Sequence, residues 1–342
     1  MLNIGLDLHE RTSSICILDS SGRIQRREKI SGHPRRVVEF LRTIDEPFCV
    51  CFEASTNYGW MHDELTSVAT KVVVAHPSRL RLIFMSKRKN DRIDAERLAK
   101  LLYLNEVPTI YVPSIDIRSW RKLIEYRKRT VNGRTRIKCA LRALLRTHGI
   151  ETIRGRAIWS QKGLAWLHSL SMPTEAATFE RDEAIDDIAY FNRKIDRTER
   201  KLAAIAKHHP GVTLLRTIPG VGIRTAEAFL AYVADPGRFR AKSIGPYIGL
   251  VPSQDSSASV NRLGRITKDG PGTLRGLLAE AAWQSIRRSA GLKAFFERVK
   301  RDDPGRQKKA LVATAHYLSR IMLAMLKSGE TWREEENRPA AA

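Results

Sequence analysis

The sequence predicts a mixed α/β domain followed by a mainly helical half, and three observations predict it. Apolar alternation runs through the first two strand-like stretches; strand and helix patterns then take turns up to Leu104; beyond that point helical periodicity dominates. A chain of 342 residues suits two compact domains and a connector.

The elements follow in order. Leu2–Leu8 and Ser14–Leu18 alternate around a polar turn and read as a hairpin, and the Asp19-Ser-Ser-Gly22 turn leads to a third strand near Arg23–Ile30. Pro34 opens a helix carrying Val37, Val38, Phe40 and Leu41. PFCVCFEAS is a buried-type strand that ends at Glu53. Tyr58–Val68 reads as a helix, KVVVAHP as a strand, and Asn90 as the N-cap of the helix DRIDAERLAKLLYL. Residues 1–115 therefore form the expected sheet domain.

Residues 116–207 change character. Between Asp116 and Arg156 stand 13 Lys and Arg against three acids, so this is a basic helix, with Leu123, Val131, Ile137, Leu141 and Leu144 available for one buried stripe. Ile188, Phe191, Ile195, Thr198, Leu202 and Ile205 then step by threes and fours. That seam fits a coiled coil with a second copy, and it fits an antiparallel helix pair within the chain. Residues 208–330 hold a helical stretch, the turn TIPGVG, a Gly- and Ser-rich segment from Gly249 to Gly272 read as a flexible loop, and amphipathic helices ending near Lys327. Residues 331–342 read as a disordered tail.

Composition narrows the partners. Sixty Lys and Arg against 37 Asp and Glu give +23, which favours a polyanion whose counterions are released on binding, hence nucleic acid. No apolar run approaches a membrane span and no leader pattern opens the chain, so the expected location is the cytoplasm, with no membrane partner. Cys16, Cys49, Cys51 and Cys139 have no zinc spacing and read as reduced thiols.

Three groups of residues carry chemistry. Asp7 sits inside an apolar strand, Glu53 closes a buried one, and Asp91 and Asp94 lie at i and i+3 on one helix side. Four gathered carboxylates repel unless divalent metal neutralises them, and a pair of Mg²⁺ ions uses such a cluster for phosphoryl transfer. Each acid also has a plainer reading, as a helix cap or an ion-pair member. TIPGVG, with Gly220 and Gly222, matches a helix-hairpin-helix element whose backbone N–H groups face a DNA phosphate; a plain Pro/Gly turn explains it too. The third group is a Ser cluster among Arg262, Arg265, Lys268 and Arg275, where the hydroxyls suit phosphate contact or one of them serves as a nucleophile. Arg127, Lys128 and Arg129 on the basic helix are the candidate nucleic-acid contacts of the connector.

IGLDLH, FEASTNYG, KNDRIDAERLA, TIPGVG and the block from GLVPS to LLAEAAW, in that order, resemble the insertion-sequence one-ten family of DEDD transposases, to which the pilin-inversion recombinases are also similar. The resemblance spans nearly the whole chain. It implies a RuvC-like (RNase H-like) sheet domain, a helical or coiled-coil connector and a mainly α C-terminal transposase domain. It implies Asp7, Glu53, Asp91 and Asp94 as ligands of Mg²⁺ or Mn²⁺. Ser257 is implied as the nucleophile that forms a phosphoserine–DNA intermediate, with Ser256 and Ser259 as neighbouring candidates. DNA is then the substrate, a homodimer or larger oligomer shares each active site, and some relatives are guided by a structured RNA. Two departures stand out: Ser257-Ala258 replaces the usual Ser-Gly, and Asn90 stands where threonine is common. Beside the transposase stand two other readings, a RuvC-like nuclease that uses water on branched DNA and a non-catalytic DNA-binding protein.

Overall fold

A computed structural model gives the fold; it describes residues 1–83, 91–153, 155, 157–257 and 260–334, and for residues 91, 92, 256, 257, 260 and 261 the backbone alone. The chain divides into two compact units, Met1–Ile115 and Asp116–Ala342.

The first unit is built on a five-stranded mixed sheet. Its elements are β1 (Leu2–Leu8), β2 (Thr12–Leu18), β3 (Ile24–Ser31), α1 (Arg35–Leu41), β4 (Phe48–Glu53), α2 (Tyr58–Thr66), β5 (Lys71–Ala75), α3 (Pro77–Ile83) and α4 (Asp91–Tyr103). The strands lie in the order β3-β2-β1-β4-β5. β2 runs antiparallel to both β1 and β3, while β1, β4 and β5 are mutually parallel. Alternation decides which helices cover which face. Leu2, Ile4 and Leu6 of β1 pack with Val37, Val38 and Leu41 of α1 and with Met61 and Leu65 of α2. Cys49 and Cys51 of β4 face the other way, onto Leu98, Leu101 and Leu102 of α4. Gly5 belongs to that second face: a Cβ there would lie 2.1 Å from the Ala95 carbonyl oxygen and 2.4 Å from the Ala99 nitrogen, so only glycine lets α4 lie on β1. Burial pushes the Cys51 thiol up to about 12, which keeps it inert.

The strands expected from the alternation are present, and α3 is an element the sequence reading omitted. Asn90, the expected cap of α4, lies outside the described residues.

The second unit is helical apart from one hairpin. It contains α5 (Ile115–Thr147), α6 (Gln161–Ser169), α7 (Glu175–Ala206), α8 (Pro210–Leu215), α9 (Ile223–Val233), α10 (Ile244–Ile248), β6 (Pro252–Ser257), β7 (Val260–Ile266), α11 (Gly272–Ile286), α12 (Ala290–Lys300) and α13 (Gln307–Ser328). Hydroxyl caps start several helices: Ser160 accepts from the Gly163 amide, Thr174 from Ala177 and Ser289 from Leu292.

α5 and α7 pair antiparallel. Arg127 meets Glu199, whereas Arg134, seven residues on, meets Asn192, seven residues back. The seam read as a possible coiled coil is spent here: Phe191 lies against Gly133, Ile188 joins Leu141 and Leu145, and Leu202 joins Trp120 and Ile124. The buried stripe of α5 is Trp120, Ile124, Thr130, Leu141 and Leu145. Of the stripe expected, only Leu141 is fully buried, because α7 and the helices beyond it cover α5 along a different line.

Two further expectations change. The segment read as a flexible loop is an antiparallel hairpin, β6 with β7. Part of the stretch read as a disordered tail is docked: Trp332 packs on the helical core and donates its backbone N–H to Thr217, and Glu334 accepts from the Ala290 amide. Beyond Glu334 the tail lies outside the described residues. Among the described residues no helix is long and apolar enough to cross a membrane.

Candidate active site

Parallel strands collect their outgoing loops at one edge, and the acids stand there. Leu6 pairs with Phe52 at the end of the β1–β4 ladder, so Asp7 and Glu53 come next, at the C-terminal edge of both strands. Both occupy odd positions, on the face of Gly5 and Cys51 that α4 covers.

The direction of α4 brings its own acids to that edge. Tyr103, the last residue of α4, lies over Gly22 in the β2–β3 turn, at the N-terminal end of β1. Ala95 and Ala99 lie over Gly5 in mid-strand. The start of α4, which carries Asp91 and Asp94, therefore points to the C-terminal edge where Asp7 and Glu53 stand.

The local partners are polar. The Asp7 carboxylate, 18% exposed, lies 3.2 Å from Nε2 of His9. Asp94 lies 3.4 Å from the Arg97 guanidinium. Glu53 is exposed. The loop after β4 adds Ser55, whose hydroxyl donates to Asn57 at 2.8 Å. Sequence reasoning singled out neither His9 nor Asn57; His9 directly follows β1, and Asn57 caps α2 after β4. Oxygen donors suit a hard divalent cation in kind. Among the described residues, no three His, Cys, Asp or Glu side chains stand close enough together to hold one ion.

The second unit carries the other candidates. Ser256 and Ser257 lie at the outer end of the β6–β7 hairpin, where Ser257 pairs with Val260 and Asp255 with Arg262; Ala258 and Ser259 lie outside the described residues. The hairpin's base is tightly closed. Gly249, at φ +74°, leaves no room for a Cβ against Asp269, and Gly270, at φ +73°, leaves none against Tyr247. Arg275 donates to the carbonyls of Ile248 and Asp269 across that base. Arg262, Leu263, Arg265 and Lys268 are all exposed, Leu263 by 62%.

In TIPGVG the two glycines differ. Gly220, at φ +94°, would put a Cβ 2.5 Å from the Ser285 nitrogen, so its place is fixed by packing on the end of α11. Gly222 is the exposed N-cap of α9, with open space where a Cβ would stand. The basic trio also separates. Arg127 is held by Glu199 at 2.6 Å, Lys128 donates to the Thr273 hydroxyl at 3.1 Å, and Arg129 is exposed.

Comparison with known proteins gives two family models. Residues 4–150 match a DEDD transposase model of the IS110 type, and residues 212–297 match the model described as transposase IS116/IS110/IS902 family. The chain is 26% identical to the transposase for insertion sequence element IS1111A of Coxiella burnetii, over 96% of this chain and 91% of that protein. It is 27% identical to the "Probable family 20 transposase" of Pseudomonas aeruginosa, over 96% of this chain and 98% of that one. The transposase for insertion sequence element IS1328 of Yersinia enterocolitica is 25% identical over 82% of each chain. The first matched region takes in the sheet bearing the acids and runs on through α5, the second takes in the hairpin, and the chain belongs to the IS110/IS116/IS902 family of transposases, enzymes that cleave and rejoin DNA.

Proposed function

We propose that this transposase cuts and rejoins the ends of an insertion sequence with Mg²⁺ or Mn²⁺ held by Asp7, Glu53, Asp91 and Asp94, and with Ser257 as the attacking group. The observation that carries the reading is the shared edge: Asp7 and Glu53 stand at the C-terminal ends of neighbouring parallel strands, toward which α4 points its first turn. The strand order β3-β2-β1-β4-β5, with β2 antiparallel to its neighbours, supports a RuvC-like reading of the first unit. Open α/β sheets bind ligands at this edge.

A Mg²⁺ site uses one or two carboxylates together with substrate phosphates more often than a closed protein cage, so an edge with dispersed carboxylates fits an ion that arrives with DNA. Bound there, the cation offsets charge on the phosphoryl oxygens and the leaving group. The Oγ–P bond forms as one backbone P–O bond breaks; the serine hydroxyl gives up its proton, and the released deoxyribose oxygen takes one up. The serine ester keeps the phosphodiester's energy for rejoining. A second copy of the chain, and a guide RNA on the exposed basic face of α5, belong to the same proposal.

Gly222 at the α9 N-terminus and the exposed Arg262, Arg265 and Lys268 are the proposed DNA-backbone contacts. The same proposal gives metal chemistry to 1–115, nucleic-acid holding to 116–207, and the nucleophile with DNA contacts to 208–330. The test is cleavage of labelled element-end DNA with and without Mg²⁺. Cutting that needs the ion and disappears in Asp7→Asn supports the reading; unchanged cutting in Asp7→Asn overturns it.

A further inference from the structure

The β6–β7 hairpin stands apart from the helices around it. Its two strands pack chiefly on one another, and its described side chains from Pro252 to Asp255 and from Arg262 to Arg265 are exposed. A two-stranded ribbon is a shape that DNA grooves admit, and ribbons read both grooves.

One large apolar side chain interrupts this polar surface. Leu263, 62% exposed, lies opposite Gln254, three positions in from the outer Ser257–Val260 pair. Arg262 precedes it, and Arg265 and Lys268 follow. All three are exposed, and among the described residues no carboxylate stands within ion-pair distance of them. The ladder shifts register beside Leu263: between the Gln254–Leu263 and Pro252–Ile266 pairs, β7 sets two residues, Gly264 and Arg265, against the single Ser253. Such a bulge bends and twists a ribbon and re-aims the side chains next to it. A lone exposed leucine is ordinary on a protein surface. This one is carried on a bulged ribbon with no core beneath it, among cations that have no acid to pair with.

We propose that the hairpin enters the minor groove of the bound duplex and that Leu263 wedges between two base pairs there, unstacking one step, with Arg262, Arg265 and Lys268 on the flanking phosphates. Minor-groove proteins use apolar wedges in this way, and the surface that the kinked DNA brings into contact offsets the unstacking. Phosphate contacts alone position a duplex and leave its stacking intact. Rejoining a cut strand to a new partner requires its bases to leave the old one, and an opened step begins that separation. The inference rests on the reading of this hairpin as a DNA contact and not on the metal edge or on Ser257.

The experiment places 2-aminopurine, a base whose fluorescence rises when it unstacks, at successive positions of the element-end duplex. The full chain is added to saturation before any Mg²⁺. One step is expected to brighten at least about threefold with wild type and with Leu263→Met, and to stay dark with Leu263→Ala and Leu263→Gln. Leu263→Ala is expected to lower affinity about tenfold without changing the salt slope, since an apolar side chain releases no counterions. Leu263 is exposed, so these replacements leave the helical core untouched. A duplex that stays stacked when wild type is bound, or a step that brightens equally with Leu263→Ala, overturns the wedge. Arg262→Ala combined with Arg265→Ala tests the backbone contacts separately: an unflattened salt slope there refutes those contacts, while the fluorescence still decides the wedge.

Discussion

Asp7 and Glu53 stand next to each other across the β1–β4 pair, one step beyond the Leu6–Phe52 partners, on the face that α4 covers. Carboxylate oxygens at a sheet edge suit a hard divalent cation that also binds substrate phosphates. Asp7→Asn and Glu53→Gln should each abolish Mg²⁺-dependent cleavage while DNA affinity changes by less than about threefold, because phosphate contacts come from Lys and Arg elsewhere. The double variant should bind DNA as the singles do. Gel-shift titration beside a cleavage assay checks this; a parallel fall in both quantities would assign these acids to structure alone.

Gly5 sets where α4 lies, and α4 carries Asp91 and Asp94. Gly5→Val puts a side chain where the Ala95 carbonyl oxygen is 2.1 Å from the Cβ position, so the helix must shift. Overpacking of this kind costs about 1–3 kcal/mol. Urea unfolding should show that loss, and cleavage should fall by far more than the remaining folded fraction explains. Full activity in the folded variant would mean that α4 does not position the reaction.

The sheet was legible because alternation and burial coincide in it: Leu2, Ile4 and Leu6 face one helix layer, and Gly5 and Asp7 the other. The acids could be picked out for the same reason, since Asp7 interrupts an apolar strand. What the sequence hid was assembled from distant elements. Phe191 and Leu202 carry a coiled-coil rhythm whether the partner is a second copy or α5, and only the tertiary contact with Gly133 and Ile124 decides. Glu227 sits in AEAFLAYV, where one acid in an apolar helix was the available signal; the cleft it lines, among α5, α7, α9 and α11, draws on helices that no spacing connects. The hairpin β6–β7 was missed because β6 is polar throughout, and the described side chains Ser253, Gln254, Asp255, Arg262, Leu263 and Arg265 are exposed, without a buried apolar face to mark a strand.

Salt dependence separates the basic residues. Arg262 and Arg265 are exposed on β7, so replacing both with alanine should flatten the slope of log affinity against log salt by about two units. Arg127→Ala should leave the slope nearly unchanged and lower thermal stability, because its guanidinium is engaged by Glu199. Filter binding over a salt series measures the slopes; equal flattening by Arg127→Ala would place that residue on the phosphate backbone as well.

Burial raises the pKa of Glu227 in the folded protein, with Arg224 and Arg127 opposing that rise and Glu199 adding to it. A carboxyl with a raised folded pKa favours folding while protonated, and this contribution is lost as pH rises through the raised value. Glu227→Gln does not titrate. Its melting temperature relative to wild type should therefore increase as pH rises above 4.5, the ordinary value of the group, in thermal melts at fixed salt. A difference that is flat with pH would contradict the assignment.

The nucleophile distinguishes strand transfer from hydrolysis by the same metal edge. Wild type, Ser257→Ala and Ser256→Ala should be incubated with end-labelled element DNA and Mg²⁺, denatured, and resolved for a protein–DNA band. Ser257 as the attacking group predicts a denaturant-resistant covalent band in wild type and in Ser256→Ala and none in Ser257→Ala. Cleaved ends without any covalent species in wild type, or a band undiminished in Ser257→Ala, would contradict it.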